Sequence, residues 1–288
     1  MSIKTPPQKS DLTVIRIHPS RGWRLLNLRE LWQYRELLYF LTLRDIKVRY
    51  KQTALGIVWV ILQPMAMLVV FTLIFGRLAK MPSEGLEYPL FAIAALLPWQ
   101  VFSRGLGEAS TSLLADQRVI TRVYFPRIMV PTATILSALV DFAVACILLI
   151  GMMIFYKVVP TSNVVWLPAF IALMFTTALG VSFWLSALNL EFRDVRYVLP
   201  FLTQFWLFLT PVVYPSQLVP EQWRVLYSLN PMVGVVEGFR WALFGTGPGP
   251  GAMLSVSAVV AVTVFLGGSL FFHWRERTFV DAVGSGGR

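Results

Sequence analysis

The stretch Arg44–Pro64, RDIKVRYKQTALGIVWVILQP, carries four basic residues in its first eight positions and none in the remaining thirteen. The apolar run that it opens continues to about Phe75. This is the profile of a segment that lies on a membrane surface, then turns and enters the bilayer. Cations stay at the headgroup level, and the backbone must become helical once hydrocarbon begins, because no water is left to satisfy its polar groups. The stretch therefore predicts an all-α integral membrane protein whose amino terminus is cytoplasmic.

Composition agrees. Of 288 residues, 56% are hydrophobic and only 14% charged, with a mean hydropathy of +0.65. Soluble domains carry about 25% charged residues, and a large soluble helical domain would need polar helix faces that these segments lack. The net charge of +10 does not indicate a nucleic-acid partner, because the basic residues sit at the ends of apolar runs, which is the pattern of membrane topology. One cysteine, Cys146, excludes an intrachain disulfide, and His18 and His273 are too far apart in sequence to suggest a metal site. The first fifty residues lack the apolar core of a signal peptide, so no cleavage is expected.

Residues 1–28, with Pro6, Pro7, Pro19 and Gly22 among charges, read as an irregular cytoplasmic leader. Residues 29–51 show helical spacing, with Arg29, Gln33, Glu36, Arg44, Lys47 and Lys51 on one face and Trp32, Tyr39, Leu43, Ile46 and Tyr50 on another. An amphipathic interface helix fits, rings in the headgroup layer and cations toward water. Residues 52–275 form the transmembrane domain and 276–288 a cytoplasmic tail. Six spans are predicted, near 54–76, 88–110, 128–156, 164–189, 197–215 and 252–273, each near the ~18–20 residues that cross a bilayer. Pro98 interrupts the second, whose inner end holds Arg104 and Glu108; the fifth contains Pro200 and Pro211. With the amino terminus inside, 20 of the 25 Lys and Arg fall on cytoplasmic pieces. That four-to-one bias places both termini in the cytoplasm.

Two connections carry more than topology. The inner segment 115–127, ADQRVITRVYFPR at its core, is too polar to cross and reads as a short surface helix. The outer region 212–251 holds an amphipathic piece, then Asn230-Pro231 followed by fourteen mostly apolar residues, then breakers from Thr246 to Gly251. Fourteen residues are too few to cross and enough to dip in and out, so a re-entrant helical hairpin is expected, with a helix lying flat on the outer surface as the alternative.

Motifs of catalysis are absent: there is no G-x-x-x-x-G-K-[ST] loop, no H-E-x-x-H and no G-x-S-x-G. Energy for transport must then come from a separate ATPase or an ion gradient. Asp141 lies near the middle of a span, where a carboxylate costs on the order of 2.5–3.5 kcal/mol. It is either a proton or cation site or a hydrogen-bonded residue at a helix contact. The lack of a second acid or a lysine recognisable at that depth favours the contact. Trp99, Phe102, Trp184, Phe201, Phe205, Trp206 and Phe208 are candidates to line a path for a glycan, whose apolar C–H faces stack on rings; packing or lipid contact is the alternative for each.

Three runs carry a family resemblance: LRDIKVRYKQTALGIVWVILQP (Leu43–Pro64), FRDVRYVLPFLTQFWLFLTPVVYP (Phe192–Pro215) and LNPMVGVVEGFRWALFG (Leu229–Gly245). In order and spacing the chain, over most of residues 30–275, resembles the permease subunits of ABC-2-type polysaccharide exporters, the O-antigen and lipid-linked glycan transporters of the bacterial inner membrane. The resemblance implies a homodimer with two cytoplasmic ATPase subunits that bind ATP and Mg, no cofactor in this chain, and lipid-linked polysaccharide as substrate. It assigns Asp116, Arg118, Arg122 and Tyr124, with Glu191, Arg193 and Asp194, to contact with the ATPase. It places Asn230, Pro231, Glu237 and Arg240 in an outer re-entrant region. Arg44, Lys47, Arg49 and Lys51 become candidates to meet an anionic lipid headgroup. Capsule, teichoic-acid or other polyol-phosphate export are the rival substrates. A membrane-embedded glycosyl- or acyltransferase and an ATP-independent channel are the rival classes.

Overall fold

The computed structural model describes residues 32–51, 56, 58–122, 125–192, 194–247 and 249–276. The expectations for the leader, for Tyr124 and Arg193, and for most of the tail lie outside the described residues. Among those described there are helices and no strands. The first is α1 (Arg35–Lys51); α2 (Val58–Phe71) follows and continues in wider π-helical turns through Leu78. Then come α3 (Tyr88–Ala115), the one-turn α4 (Gln117–Ile120), α5 (Met129–Phe155), α6 (Leu167–Glu191, after a 3-10 turn Ser162–Trp166) and α7 (Val195–Phe208). The short α8 (Glu221–Tyr227), α9 (Pro231–Phe244) and α10 (Ala252–Glu276) complete the bundle.

Five stretches are long and apolar enough to cross a membrane: Val58–Leu78, Tyr88–Ala115, Met129–Phe155, Ser162–Glu191 and Ala252–Glu276. They match five of the six expected spans to within a few residues. The helix expected near 197–215 is shorter. α7 has 14 residues, about 21 Å at ~1.5 Å per residue, and the chain turns away at Leu209–Val213, around Pro211. Pro98, expected to interrupt the second span, does not break α3, which runs through it to Ala115. Arg104 and Glu108 are therefore well inside a helix rather than at its end.

Helix α3 is the centre of the bundle, with nineteen of its 28 residues buried. It packs on α2, α5, α6 and α9, while α10 packs along α6. Apolar helices gain little by meeting each other in lipid, so close approach through small residues has to hold them. Gly180 supplies it here: a Cβ at that position would lie 2.7 Å from the Phe265 backbone.

The chain order gives the bundle two ends. At the α1 end lie α1, α4, the α6–α7 connection and the last turn of α10. At the far end lie the α2–α3 loop, the α5–α6 loop, residues 209–230 and the Gly245–Gly251 loop. Helix α9 is enclosed at that far end, twelve of its fourteen residues being buried, so it does not lie flat on the surface of the chain. The N–H groups of its first turn are met by Pro231, which has none to offer, and by Asn230, whose Oδ1 accepts from the Met232 N–H at 3.1 Å.

Helix α1 departs from the expected two-sided pattern. Its inward stripe is Tyr34, Leu38, Leu41, Asp45 and Arg49, while Tyr39, Phe40, Lys47, Val48 and Lys51 are exposed together. Charged residues lie on both stripes, Asp45 and Arg49 inward and Lys47 and Lys51 outward. Polarity along the sequence therefore does not separate into two faces, because the inward charges are ion-paired, Asp45 with Arg44 beside it and Arg49 with Glu108 and Asp141 of other helices.

Candidate functional site

At the α1 end, side chains from α1, α3 and α5 converge on Asp141, which is 4% exposed. Its carboxylate accepts from Arg49 Nη1 and from the Tyr50 hydroxyl, and from Arg104 Nη1 at 3.2 Å. Arg49 Nη2 also donates to Glu108 and, at 3.2 Å, to Ser137 Oγ; Arg104 Nη2 donates to Gln63 of α2. Two guanidinium groups and two carboxylates thus form a balanced cluster joining α1, α2, α3 and α5. A planar guanidinium can serve two carboxylates at once, which suits Arg to this position better than Lys. Burial, followed by the bond to Asp141, pushes the Tyr50 phenol above its ordinary pKa, so it remains a proton donor in the cluster. Asp141 thus sits at a helix contact as a hydrogen-bonded and ion-paired residue.

One turn earlier on α1, Arg44 Nη2 reaches Asp116 Oδ2 at 2.5 Å and Asp45 Oδ1 at 2.8 Å, and Thr134 Oγ1 donates to Asp45 Oδ2 at 3.3 Å. Arg44 and Arg49 are thus both engaged with carboxylates, whereas Lys47 and Lys51 are exposed. Beyond Asp116, α4 and the turn after it present Arg118, Val119 and Arg122 to the surface. Glu191 pairs with Arg275 of α10 at 3.0 Å, and Asp194 is exposed beside it.

The candidate aromatic residues divide into three groups. Trp99 and Phe102 are buried in the bundle, and Phe102 meets Trp206 edge-on at 5.1 Å between ring centroids. Trp184 is stacked on Phe271 at 4.6 Å, at the α6–α10 contact. Phe201 and Phe205, 73% and 55% exposed, stand with Tyr197 and Phe208 on the open face of α7. Their rings are nearly parallel, 12° apart at 6.4 Å. Among the described candidate aromatics this α7 ladder is the most exposed.

At the far end Arg240 is completely buried. Its Nη2 donates to the Val212 carbonyl at 2.9 Å, its Nε to the Phe91 carbonyl at 3.3 Å and its Nη1 to Glu237 Oε1 at 3.3 Å. Its guanidinium carbon lies 3.5 Å from the Phe91 ring centroid. One side chain therefore ties α9 to α3 and to the turn after α7, helped by the Tyr88 hydroxyl on the Val213 carbonyl at 2.8 Å. Asn230 does the same for α7: it accepts from Trp206 Nε1 at 2.9 Å and donates to Leu209 O at 3.0 Å and Thr210 Oγ1 at 2.9 Å.

Sequence reasoning missed Arg104 as a partner of Asp141, Glu108 and Ser137 as partners of Arg49, Gln63 as a partner of Arg104, and Glu84 as a neighbour of Glu237. Arg104 and Glu108 carried a usable signal, being one helical turn apart on an apolar segment, where paired charges are expected to face protein. Glu84 carried none, since an acid in a polar loop is ordinary.

A bundle of apolar helices long enough to cross a membrane, tied by ion pairs to a surface helix, has the build of an integral membrane protein. The ABC-2 type transporter family matches residues 36–244, and the chain belongs to it. The O-antigen export system permease protein RfbA of Myxococcus xanthus is 30% identical over 259 residues, covering 89% of this chain and 98% of that protein. A Klebsiella pneumoniae protein of the same name is 28% identical over 71% of this chain and 79% of its own length. The polysialic acid transport protein KpsM of Escherichia coli is 26% identical over 80% and 90%.

Proposed function

We propose that this chain is the membrane-spanning permease of an ATP-driven exporter that moves lipid-linked polysaccharide, of the O-antigen class, across the bacterial inner membrane. The observation that carries this reading is the similarity to an O-antigen export permease along 98% of that protein's length. In this reading the chain is a homodimer, each copy served by one cytoplasmic ATPase subunit, and the α1 end faces the cytoplasm. α7 with the turn after it provides the sixth crossing, and α9 is the enclosed limb of an outer re-entrant hairpin.

The parts then have distinct tasks. Exposed Lys47 and Lys51 meet the anionic headgroup of the substrate, while Arg44 and Arg49 hold the helix that carries them. Arg118, Val119 and Arg122 form the ATPase contact, with Glu191 and Asp194 beside it. The Arg44–Asp116 pair makes α1 and α4 one input element, and the Asp141 cluster transmits its movement into α3 and α5. A near-complete switch between closed and open states needs about 5.5 kcal/mol of differential ATPase affinity. Glycan rings slide along the Phe201–Phe205 ladder without tight binding.

Similarity to a polysialic acid transporter supports capsule polysaccharide as the alternative cargo. An embedded transferase is disfavoured because the carboxylate of Asp141 is taken up by Arg49, Arg104 and Tyr50. The test is affinity purification of the tagged chain from its own membranes, together with deletion of its gene. The reading expects an ATPase to co-purify in equal amount, and polymer to accumulate inside deletion cells while surface glycan is lost. A chain recovered without an ATPase, or normal surface glycan after deletion, would overturn it.

A further inference from the structure

The last turn of α10 touches both of the segments to which ATPase contact has been assigned. Arg127 closes the first of them, 115–127. Its backbone N–H donates to Glu276 Oε1 at 3.1 Å, and its Nη1 donates to the Glu276 carbonyl at 2.7 Å. The exchange is reciprocal: a carboxylate sits where α5 begins, and a guanidinium sits at the end of α10. Each charge is the one that the dipole of the opposite helix favours. The neighbouring Arg275 turns another way and pairs at 3.0 Å with Glu191, which ends α6 and opens the second segment. Successive residues on a helix point about 100° apart, so a single turn reaches both segments.

Packing alone does not account for these meetings. Among the described helices α10 packs along α6 and α9 and not along α5, so Arg127 and Glu276 bridge two helices that do not pack together. Arg275 is held in place for its pair, its guanidinium carbon lying 4.6 Å from the Trp274 ring centroid. The Arg275 and Glu191 side chains are 29% and 37% exposed, and an ion pair that open adds little to stability. Its value then lies in where it holds the chain. The first segment is fixed near its other end by Arg44 and Asp116. It is thus suspended between α1 and α10, and the second segment is tied to the same turn of α10.

We propose that the last turn of α10 is a crossbar that makes the two contact segments move as one, with Arg275 and Glu276 as positioning residues for coupling. This role rests on the reading of the chain as a permease driven by an ATPase. Two unconnected segments would each yield separately to such a partner, and part of its work would be lost in distorting one of them. With the crossbar, a displacement of the α4 segment reaches the end of α6 through two neighbouring side chains. α5 and α6 then shift together, as a switch between two discrete arrangements requires.

Four variants test it. Glu276→Ala removes the acceptor of the Arg127 N–H, whereas Glu276→Gln keeps one; Arg275→Gln loses the charge that meets Glu191, whereas Arg275→Lys keeps it. Hydrogen–deuterium exchange of the full chain in lipid nanodiscs is read over residues 125–132 and 189–196. Surface polysaccharide is measured on cells carrying each variant, and ATP hydrolysis on the purified complex. Arg275→Gln should speed exchange at the segment held by Glu276, and Glu276→Ala at the segment held by Arg275. In both, export per ATP hydrolysed should fall about threefold or more while the unfolding temperature hardly moves. Arg275→Lys and Glu276→Gln should stay near the wild type. Exchange that rises only beside the changed residue, conservative variants as impaired as the others, or unchanged export per ATP would each overturn the crossbar. A wild-type chain that holds no ATPase would instead overturn the proposed function, and the exchange pattern, read on the chain alone, would still decide whether the two segments are joined.

Discussion

Arg49 of α1 and Asp141 of α5, 92 positions apart in sequence, form an ion pair inside the bundle, and Arg104 of α3 shares the same carboxylate. A surface helix is thereby fastened to two spanning helices by charge as well as by the apolar contacts of Leu38 and Leu41. Removing one member of such a cluster leaves the others buried and uncompensated, at a cost of about 3–5 kcal/mol. Asp141→Leu should therefore lower the unfolding temperature and the yield of folded chain. Arg49→Leu combined with Asp141→Leu should be less damaging than the sum of the two single changes. Asp141→Asn keeps an acceptor for Tyr50, and its export should fall only in proportion to the folded protein recovered. A transporter driven by protons through Asp141 would instead lose export at full stability.

Arg118 and Arg122 are exposed on and after α4, so charge reversal at both should leave stability within about 0.5 kcal/mol. Export should nevertheless fail while the ATPase continues to hydrolyse ATP. Wild-type export by this variant, measured as surface polysaccharide, would remove α4 from the coupling surface.

The bridge between Arg44 and Asp116 predicts a charge-exchange result. Arg44→Asp and Asp116→Arg should each reduce export, and the double variant should recover a substantial part of it. Failure to recover would mean that Arg44 serves another group.

Phe201 and Phe205 have little to lose in the folded chain, being more than half exposed. Truncating both to Ala should cost little stability, yet slow polymer export several-fold at unchanged ATPase activity, as followed by pulse-labelled glycan. If the ladder faces lipid only, export will stay at the wild-type rate.

Arg240→Met should be severe. It strands Glu237 and unpairs the Phe91 and Val212 carbonyls, for a loss of about 3–5 kcal/mol read by thermal unfolding. Adding Glu237→Gln should return part of that loss. Arg240→Lys keeps the charge without the planar fork and should fall between the wild type and Arg240→Met.

Much of the fold was legible because apolar length reports directly on spanning helices. The runs at 54–76, 128–156 and 252–273 needed no tertiary information to be read. α7 was overestimated because apolar composition continues past Pro211 while the backbone does not. The far-end residues Asn230, Glu237 and Arg240 were found through resemblance, yet their tasks came from geometry: nothing local in Arg240 says that it grips the carbonyls of Phe91 and Val212. The Asp141 cluster was the largest loss. Its members come from α1, α2, α3 and α5, and charge balance among residues tens of positions apart leaves no periodic trace. The same balance hid the inward face of α1, where Asp45 and Arg49 occupy positions that a period count expects to be apolar.

Helix α7 is fully buried only at Leu199 and Leu207 and is otherwise secured by the Asn230 clasp at its far end. α6 and α10, by contrast, touch backbone to backbone at Gly180. Free energies of local opening follow such differences in burial. Backbone amides near the α1 end of α7 should exchange with solvent deuterium well before those of α6. A passage that widens by detaching α7 therefore demands much less work than one that parts α6 from α10.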